Sequence, residues 1–163
     1  TLTLNLITPH NKWTIHSSWS DNLLMLTLGR GGPVIWISEL DAAKIDIQDN
    51  DWVEVFNDNG TASCRAIVSQ RIPEGALIMY HNQERTVNVP LSNITGNRGG
   101  IHNSISRLCL KPTHMIGGYA QLSYGLNYYG TIGANRDEFV IIRKCASVRW
   151  GDEDSNDKKE SAK

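Results

Sequence analysis

The five histidines are the residues of this chain best suited to chemistry, and all of them fall in or beside loops or at expected strand ends. Neutral or charged imidazole can donate to a phosphate or to the carbonyls of a heterocycle, and it can also ligate a metal. None of them lies at ligand spacing from a cysteine, an aspartate or another histidine, so a large polar ligand is favoured over a metal. A hydrogen-bonded structural role is the alternative for any one of them. They are His10, His16, His81, His102 and His114.

His10 and His16 share one unusual segment, "TPHNKWTIHSSWSDN" at residues 8–22, which is too polar for a core strand and too aromatic for an ordinary loop. Its Trp13 and Trp19 fit either packing or stacking on a flat ligand. Arg98 and Arg136 fit either a phosphate fork or a solvated surface. The tyrosine- and glycine-rich residues 117–133 could wrap a ligand or form a packed loop.

Several common catalytic and metal-binding patterns are missing from the sequence. There is no G-x-S-x-G, no H-E-x-x-H and no convincing carboxylate pair. "GRGG" and "GNRGG" miss the nucleotide-binding glycine patterns, and "DIQDNDW" lacks the glycine of a calcium loop. The odd number and wide spacing of Cys64, Cys109 and Cys145 predict reduced thiols of a cytosolic protein rather than disulfides or a metal site.

Length and composition predict one soluble globular domain. The chain has 163 residues, 40% of them hydrophobic and 20% charged, and a net charge of −1. That charge gives no field for gathering nucleic acid or acidic membranes. No apolar run is long enough for a membrane helix. The first residues do not form a signal peptide, and the missing initiator methionine suggests an excised chain.

Hydrophobic periodicity predicts a mainly β fold, a barrel or a sandwich, with long polar loops. Strands are expected at "LTLNLI", "WVEVFN", "TASCRAIVS", "ALIMYH" and "EFVIIRK", and one helix at "ELDAAKI", with Ser38 and Asp41 forming a capping box. "NLLMLTLGRGGPVIWIS" is interpreted as two strands, or a loop and a strand, because of its glycines and proline. "SISRLCLKP" is a further possible strand, and residues 151–163 are expected to be a disordered tail.

A longer series of motifs carries a family resemblance. "LITPHNKWTIHSSWSDNLLMLTLGRGGPVIWIS", "NDWVEVFNDNG", "MYHNQERTVN", "RGGIHNS" and "KPTHMIGGYAQLSYGLNYYGTIGANRDEFVIIRK" resemble the C-terminal domain of the catalytic alpha subunit of bacterial respiratory nitrate reductases, in the dimethyl-sulfoxide-reductase family. The similarity covers roughly residues 4–145 and is specific, because the last motif is not a generic fold pattern.

The resemblance implies a fold and a role. The fold would be mainly β with short helices, a six-stranded double-psi β-barrel of the aspartate-decarboxylase-like type. Residues 1–150 would be a molybdopterin dinucleotide-binding domain, a C-terminal fragment of a larger subunit. The full subunit would hold two molybdopterin guanine dinucleotides with molybdenum and reduce nitrate to nitrite by two electrons. The iron–sulfur cluster would lie only in the missing upstream part, and the fragment alone is expected to be inactive.

The resemblance also implies partners and a location. Partners would be the remaining domains of the alpha subunit, an iron–sulfur beta subunit and a membrane gamma subunit, with no nucleic acid and no direct membrane insertion. The complex would lie in the cytoplasm at the inner face of the cell membrane. Two alternatives stay open: a non-catalytic double-psi barrel that binds a ligand or partner, and the same domain of a chlorate or selenate reductase.

The resemblance implies cofactor contacts but no catalytic residue and no metal ligand within this chain. His114 is interpreted as structural. The cofactor-binding residues carried over are Thr8, His10, Lys12, Trp13, Ile15, His16, Ser17, His81, His102, Asn103, Asn135 and Arg136.

Overall fold

The structure is a computed structural model, and it describes residues 1–13, 18–19, 22–81, 89–97, 99–106 and 137–151. Several sequence-based predictions lie outside these residues. They concern the tyrosine- and glycine-rich residues 117–133, most of the possible strand at 104–112, and the tail beyond residue 151.

Six strands form a closed barrel, in the order β1-β5-β2-β4-β3-β6. The pairs β1/β5 and β2/β4 are parallel, and the other pairs are antiparallel. The predicted mainly β, six-stranded barrel is confirmed. The strands are β1 (Leu2–Ile7), β2 (Val34–Ser38), β3 (Trp52–Asn57), β4 (Gly60–Ser69), β5 (Ala76–Ile78) and β6 (Asp137–Lys144).

Alternate residues of the strands fill the barrel interior, because successive side chains of a strand point to opposite faces. β4 contributes three small residues to this interior and its neighbours contribute branched ones, which suits a narrow barrel. The buried core includes Leu4, Leu6, Ile35, Ile37, Val53, Val55, Ala62, Cys64, Ala66, Leu77, Val140 and Ile142.

The first part of "NLLMLTLGRGGPVIWIS" corrects the interpretation from sequence, because it is helical. Helix α1 spans Leu23–Leu28, and only the second part becomes a strand, β2. The Asn22 side chain accepts hydrogen bonds from the backbone of Leu24 and Met25, and Gly29 caps the other end. This capping at both ends defines the short helix. None of its residues is buried.

Helix α2 (Glu39–Lys44) was predicted correctly, but its capping box was not. The Ser38 hydroxyl accepts from the Leu40 backbone N–H at 3.2 Å, as an N-cap should. The Asp41 carboxylate does not reach back to the cap. Instead, Asp41 is buried and accepts a 2.7 Å hydrogen bond from the Gly75 N–H, which ties α2 to the turn before β5.

The strand directions give the barrel two distinct ends. At one end β1 and β5 finish, and Asp137 of β6 pairs with Ile7 of β1. We call this the histidine end, since His10 and His81 each lie three residues beyond the ends of β1 and β5. At the other end β2 runs into α2 and β5 begins, and we call it the helix end.

Candidate functional site

Three of the five histidines lie side by side at the histidine end. The ring centroids of His10 and His81 are 4.8 Å apart, in an edge-to-face arrangement. The His81 and His102 rings are stacked, with centroids 4.5 Å apart and planes 10° from parallel. His81 and His102 are 7% and 9% exposed, whereas His10 is exposed. We call these three residues the histidine row.

The parallel pairing of β1 with β5 brings His10 to His81. The ladder continues past the strand ends, where the Met79 N–H donates to the Ile7 carbonyl at 3.1 Å and the His81 N–H donates to the Pro9 carbonyl at 3.0 Å. Parallel neighbouring strands end at the same edge of a sheet. The segments that follow β1 and β5 therefore place His10 and His81 side by side, although the two residues are distant in sequence.

The segment that contains Gly96, Gly99 and Gly100, which we call the glycine loop, brings His102 to His81 by lying directly on the start of β4. The Ser63 N–H donates to the Gly99 carbonyl at 3.4 Å. Gly100 has φ +97°, and a Cβ there would lie 2.3 Å from the carbonyl oxygen of Thr61, so only glycine fits. The chain then enters a single 3-10 turn, His102–Ser104, which begins with the histidine.

The hairpin between β3 and β4 holds the end of this 3-10 turn through hydrogen bonds to Ile105. The side-chain amides of Asn57 and Asn59 both donate to the Ile105 carbonyl, at 2.8 and 3.3 Å. The Asn59 amide also lies 3.3 Å from the Glu138 carboxylate, at the start of β6. The predicted hairpin at residues 58–60 is therefore part of the support of the site.

A buried carboxylate, Glu54, anchors the segment that leads into the glycine loop. Glu54 is fully buried and forms two hydrogen bonds with the Arg143 guanidinium, at 2.8 and 3.1 Å. It also accepts from the Ser92 hydroxyl at 2.8 Å and from the Asn93 backbone N–H at 2.5 Å. A buried charge needs such compensation, so this network holds residues 92–93 against β3.

The sequence did not identify Glu54, Asn57 or Gly100 as supports of the site. Their roles depend on pairings across the barrel. Only the closely spaced Gly96, Gly99 and Gly100 offered a local signal, because glycine lets the backbone approach another segment closely.

The other described candidates lie near the histidine row in sequence and differ in exposure. Thr8 is buried at 3% exposure, directly after β1. The Lys12 ammonium lies 4.6 Å from the centroid of the Trp13 ring. The backbone N–H of Trp13 donates to the side-chain oxygen of Asn11 at 2.9 Å. Asn103 is exposed beside His102. Ile15, His16, Ser17, Asn135 and Arg136 lie outside the described residues, as does His114.

The donor set of the histidine row and its neighbours suits an anionic, heteroaromatic ligand. Imidazole, ammonium and amide groups offer N–H donors to phosphate and ring acceptors, while the flat faces of histidine and tryptophan can contact a ring. Within the described part of the chain, no three histidine, cysteine or acidic side chains are arranged to hold a metal ion. The donors present are chemically compatible with a large organic ligand that carries phosphate and ring acceptors.

The two described cysteines stand apart from this chemistry. Cys64 and Cys145 are free thiols. Burial raises the pKa of the Cys64 thiol far above its usual range and raises the pKa of Cys145 to about 12. A thiol that stays protonated is a poor nucleophile, so both fit the predicted structural role. Cys109 lies outside the described residues.

A family comparison identifies the ligand class. Residues 4–122 match the family model described as "Molydopterin dinucleotide binding domain". The chain belongs to this molybdopterin dinucleotide-binding domain family. The matched residues include all three members of the histidine row and the described segments that position His81 and His102.

Curated relatives of this molybdopterin dinucleotide-binding domain are much longer proteins. It is 63% identical to the respiratory nitrate reductase 2 alpha chain of Escherichia coli (strain K12), over 98% of this chain and 13% of the relative. It is 56% identical to the nitrate reductase alpha chain of Bacillus subtilis (strain 168), over 91% of this chain and 12% of the relative. The chain thus spans only a small part of the length of the curated relatives it matches.

A solved structure supports the predicted fold of the molybdopterin dinucleotide-binding domain. Acetylene hydratase from Pelobacter acetylenicus aligns with a TM-score of 0.58 and 14% identity, covering 87% of this chain and 18% of that one. Together with the closed strand order, this confirms the double-psi β-barrel expected from sequence. Among the described residues, no helix combines the length and apolarity needed to cross a membrane.

Proposed function

We propose that this chain is the cofactor-binding domain of a respiratory nitrate reductase and that the histidine row is part of its cofactor site. The main support for this proposal is that His10, His81 and His102 contact one another in a row at one end of the barrel, in a chain of the molybdopterin dinucleotide-binding family. The cofactor would be molybdopterin guanine dinucleotide, two per full subunit with molybdenum, as in the family that the sequence resembles.

Each described residue would hold the cofactor in a way that its position allows. His81 and His102 are largely buried, so they would hydrogen-bond an acceptor that reaches the barrel end, with little competition from water. His10 and Lys12 are exposed and would meet a charged part such as the pyrophosphate. Trp13 would pack against a flat ring, while Thr8 and Asn103 would add a hydroxyl and an amide.

The remaining candidates complete the same proposal. Ile15, His16, Ser17, Asn135 and Arg136 would contact the cofactor from the segments on either side of the described site. When bound, the cofactor would supply the oxygen-atom and electron transfer of nitrate reduction. The residues of this chain would orient it, balance its charge and shield it from water.

The wider assembly is part of the proposal. The remaining domains of the alpha subunit, an iron–sulfur beta subunit and a membrane gamma subunit would be partners, and the iron–sulfur cluster of the alpha subunit would lie outside these residues. The complex would work on the cytoplasmic side of the membrane. Alone, the 163-residue chain would not reduce nitrate, because it contains no residue assigned to the chemistry itself.

The test is cofactor content and nitrate reduction in the full-length protein carrying His10→Ala, His81→Ala or His102→Ala. We expect about tenfold or greater loss of bound molybdenum or of turnover for His81→Ala and His102→Ala, as for residues that orient a bound group. Glu74→Gln, at the helix end, is the control and should leave both unchanged. Normal molybdenum content and turnover in all three histidine variants would refute the assignment.

A further inference from the structure

A second set of donors lies on the outer wall of the barrel, where β2 runs beside β4. We call Arg30, Trp36 and Arg65 the arginine–tryptophan patch. The Arg30 guanidinium lies 5.4 Å from the centroid of the Trp36 ring. The Arg65 guanidinium donates a short hydrogen bond to the Arg30 backbone carbonyl. The patch therefore joins two cationic side chains and one aromatic ring.

Strand register places the patch outside the barrel. Val34 of β2 pairs with Arg65 of β4, and Trp36 pairs with Ile67. The residues between them, Ile35 and Ala66, belong to the core inside the barrel. Arg65 and Trp36 therefore face outward, and both are partly exposed.

The turn before β2 holds the patch in place. Arg30 has φ +61°, and Gly31 and Gly32 have φ +75° and +143°. A side chain is uncommon at such a positive φ, so Arg30 is in a conformation that its surroundings must favour. A Cβ on Gly31 would lie 3.4 Å from Nη2 of Arg65, which shows how closely the turn covers that guanidinium. The result is a cationic surface that is ordered before any partner arrives.

The patch has donors but no anion among the residues that the structure describes. Three other cations of the described residues are paired: Lys44 with Asp41 and Glu74, Arg143 with Glu54, and Lys144 with Asp51. Within the described part of the chain, neither Arg30 nor Arg65 has a carboxylate at ion-pair distance.

The Trp36 indole contributes a ring, rather than an exposed donor, to the patch. Its Nε1 is buried and makes no hydrogen bond among the described residues. An incoming group would therefore be attracted by the two guanidinium groups, while the indole supplies the flat ring beside which Arg30 lies.

We propose that the arginine–tryptophan patch is a docking site for an Asp or Glu side chain on a protein segment outside residues 1–163. Guanidinium groups match carboxylates in planar, two-bonded geometry. Arginine and tryptophan are also the residues that most often dominate the binding energy of protein interfaces. A net charge of −1 argues against a phosphate-rich polymer or membrane as the occupant, because no broad basic field surrounds the patch.

Zero-length cross-linking tests this in the full-length protein purified with its subunits. Arg30→Lys and Arg65→Lys keep the positive charge and introduce an amine, which a carbodiimide couples to a carboxylate in contact with it. We expect coupling from the introduced lysine to an Asp or Glu outside residues 1–163, about tenfold more abundant than from Arg71→Lys. Arg71 is the matched control, since it is exposed in the turn after β4.

The reagent has an internal control in the native chain, because Lys44 contacts Asp41 and Glu74. If Lys44 couples but the introduced lysines couple only within residues 1–163, or not at all, the proposal is wrong. If they do couple outside, an Asp or Glu to Arg exchange at the identified position should lower partner retention, and Arg30→Glu with Arg65→Glu should restore it. Failure of that rescue would also overturn the proposal.

Two further measurements distinguish a protein carboxylate from cofactor phosphate and from a membrane surface as the occupant of the patch. The double variant Arg30→Glu/Arg65→Glu should keep the normal molybdenum content, since neither arginine belongs to the histidine row. About tenfold loss of molybdenum would assign the patch to cofactor phosphate, and loss of binding to phosphatidylglycerol vesicles would assign it to the membrane. Either result would overturn protein docking, and neither bears on the cofactor role of the histidines.

Discussion

The two ends of the barrel differ in how their polar groups are compensated. At the helix end, opposite charges meet: Asp41 with Lys44, Lys44 with Glu74, and Lys144 with Asp51. At the histidine end, like groups meet, because three imidazoles contact each other in a row. Groups that neutralise each other stabilise a fold, whereas a row of similar donors is suited to a ligand that supplies acceptors. This difference supports the proposal that the helix end stabilises the fold and that the histidine end binds the cofactor.

The largest expected effect is on stability at the helix end, from Asp41→Ala. This change would leave the Gly75 N–H without its acceptor and Lys44 without one of its partners. We expect the free energy of unfolding to fall by about 2–4 kcal/mol, because the carboxylate is buried. Urea denaturation measures it, with Asp41→Asn as the milder matched variant. A loss below about 0.5 kcal/mol would mean that this end is not held by its charges.

The next effect is specific to the histidine end. In His102→Ala, the stacked contact with His81 is lost, but the strands and the glycine loop keep their hydrogen bonds. We expect the free energy of unfolding to fall by only about 1 kcal/mol, while bound molybdenum in the full-length protein falls about tenfold. Loss of stability comparable to that of Asp41→Ala, with normal cofactor content, would reverse the roles of the two ends.

The rate of chemical modification of Cys145 tests how well the helix end is shielded from solvent. Cys145 follows β6, its N–H donates to the Trp52 carbonyl at 2.9 Å, and burial raises its pKa to about 12. Since only the thiolate reacts, iodoacetamide at pH 8 should modify Cys145 about a thousandfold more slowly in the folded chain than in urea. Mass spectrometry of the Cys145 peptide gives the two rates. Equal rates would show that this end opens readily.

The same pKa shift has a consequence for stability at alkaline pH. The ordinary thiol pKa is 9.0, so above that value the unfolded chain loses the Cys145 proton while the folded chain keeps it. The folded state then binds more protons, and its stability falls as the pH rises above about 9. Cys145→Ser should reduce that slope in urea titrations between pH 8 and 10. An unchanged slope would contradict the assigned shift.

The smallest effect belongs to a surface pair at the helix end. Lys44 and Glu74 are each about half exposed, at 47% and 52%. Glu74→Gln should therefore change the free energy of unfolding by less than about 0.5 kcal/mol, because water and salt screen exposed pairs. Urea denaturation at low and high salt checks it. A salt-dependent loss above about 1 kcal/mol would show that the charge network of this end acts as one unit.

Local patterns in the sequence were sufficient for most of the barrel strands and for α2. Alternation predicted β1 and β3, and a nearly unbroken apolar run predicted β6. The Asp58-Asn59-Gly60 turn predicted the β3–β4 hairpin, with β4 as its returning strand. The exposed helix α1 was missed, because its apolar run resembles a strand and its Asn22 cap is a weak local signal. The partner of Asp41 was also missed, since Gly75 lies far along the chain.

The candidate site was likewise only partly predictable from the sequence. Sequence reasoning and resemblance named His10, His81 and His102 as candidates, but only the folded chain shows that they touch. Their contact depends on the parallel β1/β5 pairing and on Gly100 lying against β4, which are relations between distant segments. No periodicity within a single segment contains that information.

The most direct test of the cofactor role is an experimental structure of the full-length protein with its cofactor bound. We expect a phosphate or ring acceptor of the cofactor within hydrogen-bonding distance, about 2.7–3.2 Å, of a ring nitrogen of His81 or His102. A cofactor bound at the helix end, or lying beyond hydrogen-bonding reach of the entire histidine row, would contradict it.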